Sequence, residues 1–269
     1  MKVLHVMHEL QPSGAEVMLK ISYDLWRAHG ITPEVLATGP RYGVYAKALQ
    51  AAGYATKHLP YLRNPLYFWS YMRFLKRGQF DVVHQHIEGS GFWFGLAALI
   101  CGCRLIRVNH ANFRFEGRLR RVRAFQRQLL MRLGATFVAV GEGVRRNESD
   151  RFGIDAKLVW NWADVSKFVP PTAEQRAAAR RRWGLADSDL VIVTVGNCAT
   201  VKNHGALLEA LASDARLSAV KYLHVGLEDE ARCEQAQAQR LGIAQRVVFA
   251  GWIADALPAL HAADRKSVV

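Results

Sequence analysis

What most restricts the fold of this 269-residue chain is an alternation that runs almost from end to end: short β-branched or aliphatic runs separated by longer amphipathic stretches. A parallel sheet wrapped by helices produces that pattern. Strands are expected at 3–8, 34–38, 56–60, 81–86, 104–110, 136–141 and 157–161, and helices at 14–29, 65–76, 91–101, 117–133 and 142–152. The rhythm breaks at 164–172, where Pro170-Pro171 can continue neither a helix nor a central strand, so an interdomain linker is placed there. Beyond it, helices are expected at 173–183, 203–212 and 229–241, strands at 190–196, 221–226 and 246–250, and a last helix from near 255.

The expected architecture is therefore α/β, with two Rossmann-like domains at 1–168 and 172–269 and a cleft between them. The second half offers only about three strands in roughly 95 residues, fewer than an open α/β sheet normally needs, so that domain is expected to be incomplete. The stretch Asp264-Arg265-Lys266-Ser267-Val268-Val269 ends the last helix abruptly. A common sequencing-adapter read, GAT-CGG-AAG-AGC-GTC-GTG, would encode it, and 264–269 is expected to be a non-native tail.

Composition narrows the class. The chain is 51% hydrophobic and 22% charged, which fits a globular protein rather than a disordered one. Met1-Lys2 leads straight into Val3-Leu4-His5-Val6-Met7 with no leader pattern, and the apolar stretch 92–103 is too short to span a bilayer. Cys101, Cys103, Cys198 and Cys233 show neither a disulfide nor a zinc spacing, so a cytoplasmic chain with reduced thiols is expected. The net charge is +13, and between Arg104 and Arg132 nine arginines face one acid, Glu116. Such a basic surface attracts nucleic acid, anionic lipid or phosphorylated substrates, and composition does not choose among them.

Five motifs carry possible chemistry. Ser13-Gly14-Ala15-Glu16 joins the first strand to the first helix; it suits an anion at a helix start, or is a tight turn with Ser13 as N-cap. It is not a Gly-x-Gly-x-x-Gly fingerprint, which weighs against nicotinamide or flavin. Asp81-Val82-Val83-His84-Gln85-His86 puts two imidazoles on one face at a strand's carboxyl end. They lack a third metal ligand nearby in sequence; with His110 ending the next strand, they fit a sugar-binding or acid–base surface better than a core. In Val195-Gly196-Asn197-Cys198-Ala199-Thr200-Val201-Lys202-Asn203, Lys202 opposes the helix dipole but can meet a phosphate; the alternative is a solvated surface lysine. Val225-Gly226-Leu227-Glu228-Asp229 is a further strand–glycine–acid turn, and Phe249-Ala250-Gly251-Trp252 offers an indole to flank a base.

In this order the motifs resemble glycosyltransferase family 4, retaining enzymes of the GT-B fold. The likeness rests on Ser13–Glu16, Asp81–His86, His110, Val140-Gly141-Glu142-Gly143-Val144, Asn161–Pro170, the loop from Val195 to Asn203, Phe249-Ala250-Gly251 and Ala262-Ala263-Asp264. The resemblance implies transfer of a sugar from a nucleotide-diphosphate donor to a glycan or lipid-linked acceptor of cell-envelope polysaccharide synthesis. It places Gly14 and Lys202 at the donor diphosphate, with Asn197, Gly226 and Trp252 on the donor side. His110 falls near the reacting sugar, and Glu16, His84 and His86 toward the acceptor. No Asp-x-Asp metal motif is recognised, and neither metal nor cofactor is expected.

Three departures stand out. Asn197 replaces the family's arginine, Asn161-Trp162-Ala163 replaces Asn-Gly-Val, and the family's Glu-x7-Glu element lies beyond residue 269, so this stretch alone is expected to be inactive. The basic aromatic stretches 61–77 and 112–132 suit peripheral contact with anionic membrane at its cytoplasmic face. A non-catalytic sugar-nucleotide-binding relative is the main alternative. A sugar-nucleotide epimerase on the same fold is another. No nucleic-acid partner is expected, because no recognition motif accompanies the arginines.

Overall fold

The apolar runs of the first half become seven strands: β1 (Lys2–Met7), β2 (Thr32–Ala37), β3 (Ala55–His58), β4 (Val82–Gln85), β5 (Arg104–Asn109), β6 (Thr136–Ala139) and β7 (Lys157–Leu158). A computed structural model gives this architecture and describes residues 1–61, 66–199, 202–228 and 232–266, the last of these by its backbone only. The chain divides into two units, Met1–Asp164 and Val165–Val269. In the first, all strands pair in parallel in the order β3-β2-β1-β4-β5-β6-β7. The crossovers carry α1 (Gly14–Ala28), α2 (Ala46–Ala51), α3 (Tyr67–Gly78), α4 (Gly91–Ile100), α5 (Gly117–Arg132) and α6 (Glu142–Phe152).

Strand order reverses between β1 and β4, so the crevice beyond their carboxyl ends is the natural ligand position of this sheet. β4 and β5 stop one residue short of the expected ends, leaving His86 and His110 at the mouth of that crevice. α2 was not among the expected helices, since six residues are too few to show a helical period. The apolar stretch at 92–103 is a core helix: the ten residues of α4 bury Phe92, Phe94, Ala97 and Ala98 against the sheet.

The two faces of the sheet bury different chemistry. On the α4–α5 face, Glu88 accepts from Arg107 and from Arg127 Nη2 (3.0 Å), and Arg127 Nε donates to Glu148 (3.0 Å). Arg127 is 1% exposed and Arg107 2%. This corrects the reading of 104–132 as a basic surface at two positions: Arg107 and Arg127 are buried and pair with the partly exposed Glu88 and the buried Glu148 from elsewhere in the chain. Burial of ions at this depth is tolerated only when they are paired and hydrogen-bonded. The opposite face, under α1, carries the imidazoles.

The second unit holds β8 (Leu190–Val195), β9 (Val220–Val225), β10 (Val247–Phe249) and β11 (Arg265–Lys266), parallel and in the order β10-β9-β8-β11. Its helices are α7 (Ala173–Arg182), α8 (His204–Ser213), α9 (Cys233–Arg240) and α10 (Leu257–Ala262). α7 opens on a capping box, in which Thr172 Oγ1 accepts from Gln175 N–H and the Gln175 side chain accepts from Thr172 N–H. The described part adds a fourth, two-residue strand to the three expected. Asp264 ties it down, accepting from Val191 N–H (2.8 Å) and Arg180 Nη2 (2.9 Å). Residues 267–269, like Pro65, Thr200, Val201 and Asp229 of the expected elements and motifs, lie outside the described residues.

Candidate functional site

The first constellation grows out of strand register. His5 of β1 pairs with His84 of β4, and in a parallel ladder registered partners point to the same face. His86, two residues on, falls on that face too. Ring centroids are 4.9 Å apart for His5–His84, 4.6 Å for His84–His86 and 5.2 Å for His86–His110. His86 Nδ1 and His110 Nε2 share a hydrogen bond at 2.9 Å, and His86 Nε2 approaches His5 Nδ1 at 3.4 Å. Burial pushes all four below the ordinary imidazole value. His84 falls to about 4, with His110 adding to the effect of burial, and His5 and His86 lie well below 6.5. The cluster is therefore neutral near pH 7, and works by hydrogen bonding rather than by charge.

His84, His86 and His110 line a cavity of ≈ 50 Å³ closed by Trp26 and Trp162. That holds a few waters and no sugar. His86 also lines a second hollow of ≈ 320 Å³ with His8, Thr38, Glu88 and Ser90, which falls within the size range of ligand pockets. Trp162, the bulky member of Asn161-Trp162-Ala163, is anchored by donating Nε1–H to Met18 O (3.3 Å). His5 and the His8–Thr38 wall were not singled out from sequence. The signal for His5 was there, an imidazole inside the apolar run Val3-Leu4-His5-Val6-Met7, but its partner is some 80 residues away and only the ladder joins them.

The β1–α1 turn places Gly14 in the open, with nothing within 4 Å of where a Cβ would stand. Ser13 is the N-cap by backbone, but its hydroxyl donates to the Glu16 carboxylate rather than capping the helix. Glu16 itself is turned inward and only 4% exposed, and burial raises its carboxyl. In this conformation its side chain is spent on the turn, whatever ligand the turn takes.

In the second unit the donor-side candidates meet at the carboxyl edge of β8 and β9. Gly196 N–H donates to Val225 O (2.8 Å), Gly226 N–H to Gly251 O (3.0 Å) and Cys198 N–H to Leu227 O (2.8 Å). A Cβ on Gly226 would stand 2.0 Å from Gly196 O, so the two loops approach more closely than any side chain allows. Asn197 Oδ1 accepts from Leu227 N–H (2.9 Å), a loop-to-loop tie that its amide makes and an arginine cannot. The Lys202 stem lies over Gly196, Cε 3.6 Å from its ideal Cβ position. Lys202 and Trp252 are exposed at this edge, the latter by 52%.

Two parallel-sheet α/β units, each collecting its polar groups at the carboxyl ends of its strands, define a chain of GT-B architecture. It belongs to glycosyltransferase family 4: the profile of Glycosyltransferase Family 4 matches residues 12–167, and that of Glycosyl transferases group 1 matches 175–269. It is 29% identical over 206 residues to a D-inositol 3-phosphate glycosyltransferase of Geodermatophilus obscurus; the match covers 68% of this chain and 43% of that relative. Among solved structures it is similar to HepE from Anabaena in complex with UDP, with a TM-score of 0.80 at 17% identity over 99% of this chain and 73% of HepE. It is also similar to WaaG, a glycosyltransferase involved in lipopolysaccharide biosynthesis, with a TM-score of 0.73 at 16% identity, covering 98% of this chain and 74% of WaaG.

Proposed function

We propose that this chain serves transfer of a sugar from a nucleotide-diphosphate donor, with retention, to a glycan or lipid-linked acceptor. The observation that carries the reading is the clasp at the β8–β9 edge: close-packed glycine loops, with the stem of the exposed Lys202 over Gly196 just before the start of α8. A leaving diphosphate needs positive charge and N–H donors placed in advance, and Lys202 together with the start of α8 supplies both. Family membership and the bound UDP of HepE support the donor class. Because the matched stretch is 43% of the curated relative, turnover is proposed for a protein of the relatives' length, and this chain alone is proposed to be inactive.

On the acceptor side, neutral imidazoles offer hydrogen bonds to hydroxyls without attracting stray anions. His110 commits Nε2 to His86 and keeps Nδ1 for a sugar hydroxyl. The chemistry needs no charged base from the cluster, since the leaving phosphate of a front-face transfer takes the acceptor proton; no metal is invoked in that step. For a lipid-linked acceptor, α5 offers exposed Leu119, Val122 and Phe125 among its arginines, a face suited to the cytoplasmic side of an anionic membrane. Among the described residues no helix is long and apolar enough to cross a membrane.

Donor binding is tested by thermal shift of this chain against UDP-, GDP- and ADP-sugars. One of them is expected to raise the melting temperature, and Lys202→Ala to weaken its binding by roughly 10- to 100-fold, the loss of one charge-assisted contact. No shift with any donor at millimolar concentration overturns the reading. Asn197 in place of arginine favours a second reading, a binding relative without turnover; donor binding with neither transfer nor donor hydrolysis in the full-length protein would establish it. Sedimentation with anionic vesicles tests α5: no binding at moderate salt removes the membrane from the proposal.

A further inference from the structure

At the β8–β9 clasp lies a largely buried group of side chains that the proposed transfer does not use. Cys198, His204 and His224 each bring one donor atom within 4.8 Å of the other two. They come from three places: the loop after β8, the first residue of α8 and the interior of β9. His204 is 3% exposed and His224 0%. Glu234, in the first turn of α9, stands beside them with Oε1 3.8 Å from His204 Nδ1.

Hydrogen bonding leaves this group incomplete. His204 Nδ1, His224 Nδ1 and Glu234 Oε2 are all buried without a partner. Native interiors rarely leave three such atoms unsatisfied in one place, and each costs about 1–3 kcal/mol unless an ion or water meets it. His204 Nδ1 and Glu234 Oε1 are too far apart to bond each other, yet 3.8 Å is a spacing one shared ligand can bridge. Cys198 Sγ is 3.8 Å from His224 Nε2. His224 Nε2–H donates to Gly196 O at 3.0 Å, the backbone contact that fixes ring orientation in metal-ligating histidines, and leaves the unpartnered Nδ1 as the ring nitrogen free to ligate.

The geometry points to a structural zinc site formed by Cys198, His204 and His224, with Glu234 as fourth ligand. A thiolate with two imidazoles selects a borderline divalent ion over magnesium or calcium. Binding releases the Cys198 thiol proton to solvent and leaves both histidines neutral, the form that burial already favours. Four protein donors close the coordination sphere, so the ion holds structure and takes no part in transfer. Its effect is to pin the loop leading to Lys202 to β9 and α9. The site was invisible in the cysteine spacing because its ligands come from two successive βα units, Cys198 and His204 from β8–α8 and His224 and Glu234 from β9–α9.

The experiment is cobalt(II) titration of the purified, metal-stripped chain, followed by zinc competition. The expected result is one equivalent bound with a thiolate-to-cobalt absorption band, displaced by zinc at sub-micromolar concentration. Cys198→Ser is expected to abolish that band and weaken zinc by roughly 100-fold or more, while Glu234→Gln, which keeps volume, weakens it less. His5→Gln is the control for the imidazole group of the first unit and is expected to leave the band unchanged. Should Cys198→Ser fold poorly by circular dichroism, the Glu234→Gln titration decides alone, and no weakening there overturns the site. Absence of stoichiometric binding, or a thiolate band that survives in a folded Cys198→Ser protein, also overturns it and leaves water as the bridge. Sugar-nucleotide binding does not enter this readout, so the zinc site and the donor reading stand or fall separately.

Discussion

The carboxyl edges of the two sheets do similar topological work with opposite materials. In the first unit the edge is built from side chains, four imidazoles brought onto one face by parallel register and held neutral by burial. In the second it is built from backbone, with Gly196 and Gly226 in contact and one amide, Asn197, tying the loops. A side-chain edge tolerates local substitution but responds to protons, whereas a backbone edge tolerates almost no added atom. On the proposed reading, the neutral imidazoles would suit hydroxyls, and the helix start with its lysine would suit phosphate.

The comparison breaks most forcefully from below. The imidazole face of the first sheet is backed by the Glu88–Arg107–Arg127–Glu148 network on the other face. Arg127→Met removes one cation and strands the buried Glu148 carboxylate, while Glu88 keeps Arg107, an expected loss of about 3–5 kcal/mol. Hydrogen exchange read unit by unit checks it: protection should fall in β4, β5 and α5 and hold in β8 and β9. An equal loss in both units would show that they do not respond separately.

Next in size is Gly226→Ala. Its methyl would meet Gly196 O at 2.0 Å and Asn197 N at 2.9 Å, both backbone, so the loops must part. An overpacking cost of about 1–3 kcal/mol is expected, together with loss of donor-induced thermal shift. Gly14→Ala, where a methyl meets nothing, is the matched control and should leave stability within about 0.5 kcal/mol.

Protons sharpen the other side. His84 titrates near 4 when folded against 6.5 unfolded, so the unfolded chain binds more protons between those values. Its contribution to stability is complete above about pH 6.5 and is lost as pH falls toward 4, on the order of 2–3 kcal/mol. His84→Gln should flatten that part of the pH–stability curve, measured by urea unfolding between pH 8 and 4. An unchanged slope would mean that the other imidazoles carry the acid response.

Much of the fold is legible in the sequence. Alternation of apolar runs with amphipathic stretches announces parallel sheets, while the division between the units falls at Asp164–Val165, at the start of the expected linker rather than at Pro170-Pro171. The placement of His84, His86 and His110 toward the carboxyl ends of β4 and β5, and of Gly14 and Lys202 at helix starts, can be read locally from a period of two and from the turns. What stayed hidden depends on partners distant in the chain. His5 needs β4 beside β1, Arg127 reads as surface until Glu88 and Glu148 fold onto it, and Cys198 lacks meaning without His224. Glu16 was legible as a motif residue but not as a buried one, because a helix's inward face is set by the sheet it packs on.

The smallest expected effect falls on Asn197, and it tests what the backbone edge is for. An arginine here would bring charge to the donor, but its guanidinium has no acceptor for the Leu227 N–H that Asn197 Oδ1 now takes at 2.9 Å. Asn197→Ala should cost about 1 kcal/mol, the net worth of one hydrogen bond, with donor affinity falling only as far as the loop loosens. Asn197→Arg should cost similar stability yet tighten the donor, since it exchanges a tie for a cation beside the same glycines. Paired unfolding and donor-binding measurements on the two variants separate these effects. If Ala and Arg lower affinity alike, the side chain at 197 serves the fold of the clasp alone, and the phosphate is gripped by backbone and Lys202.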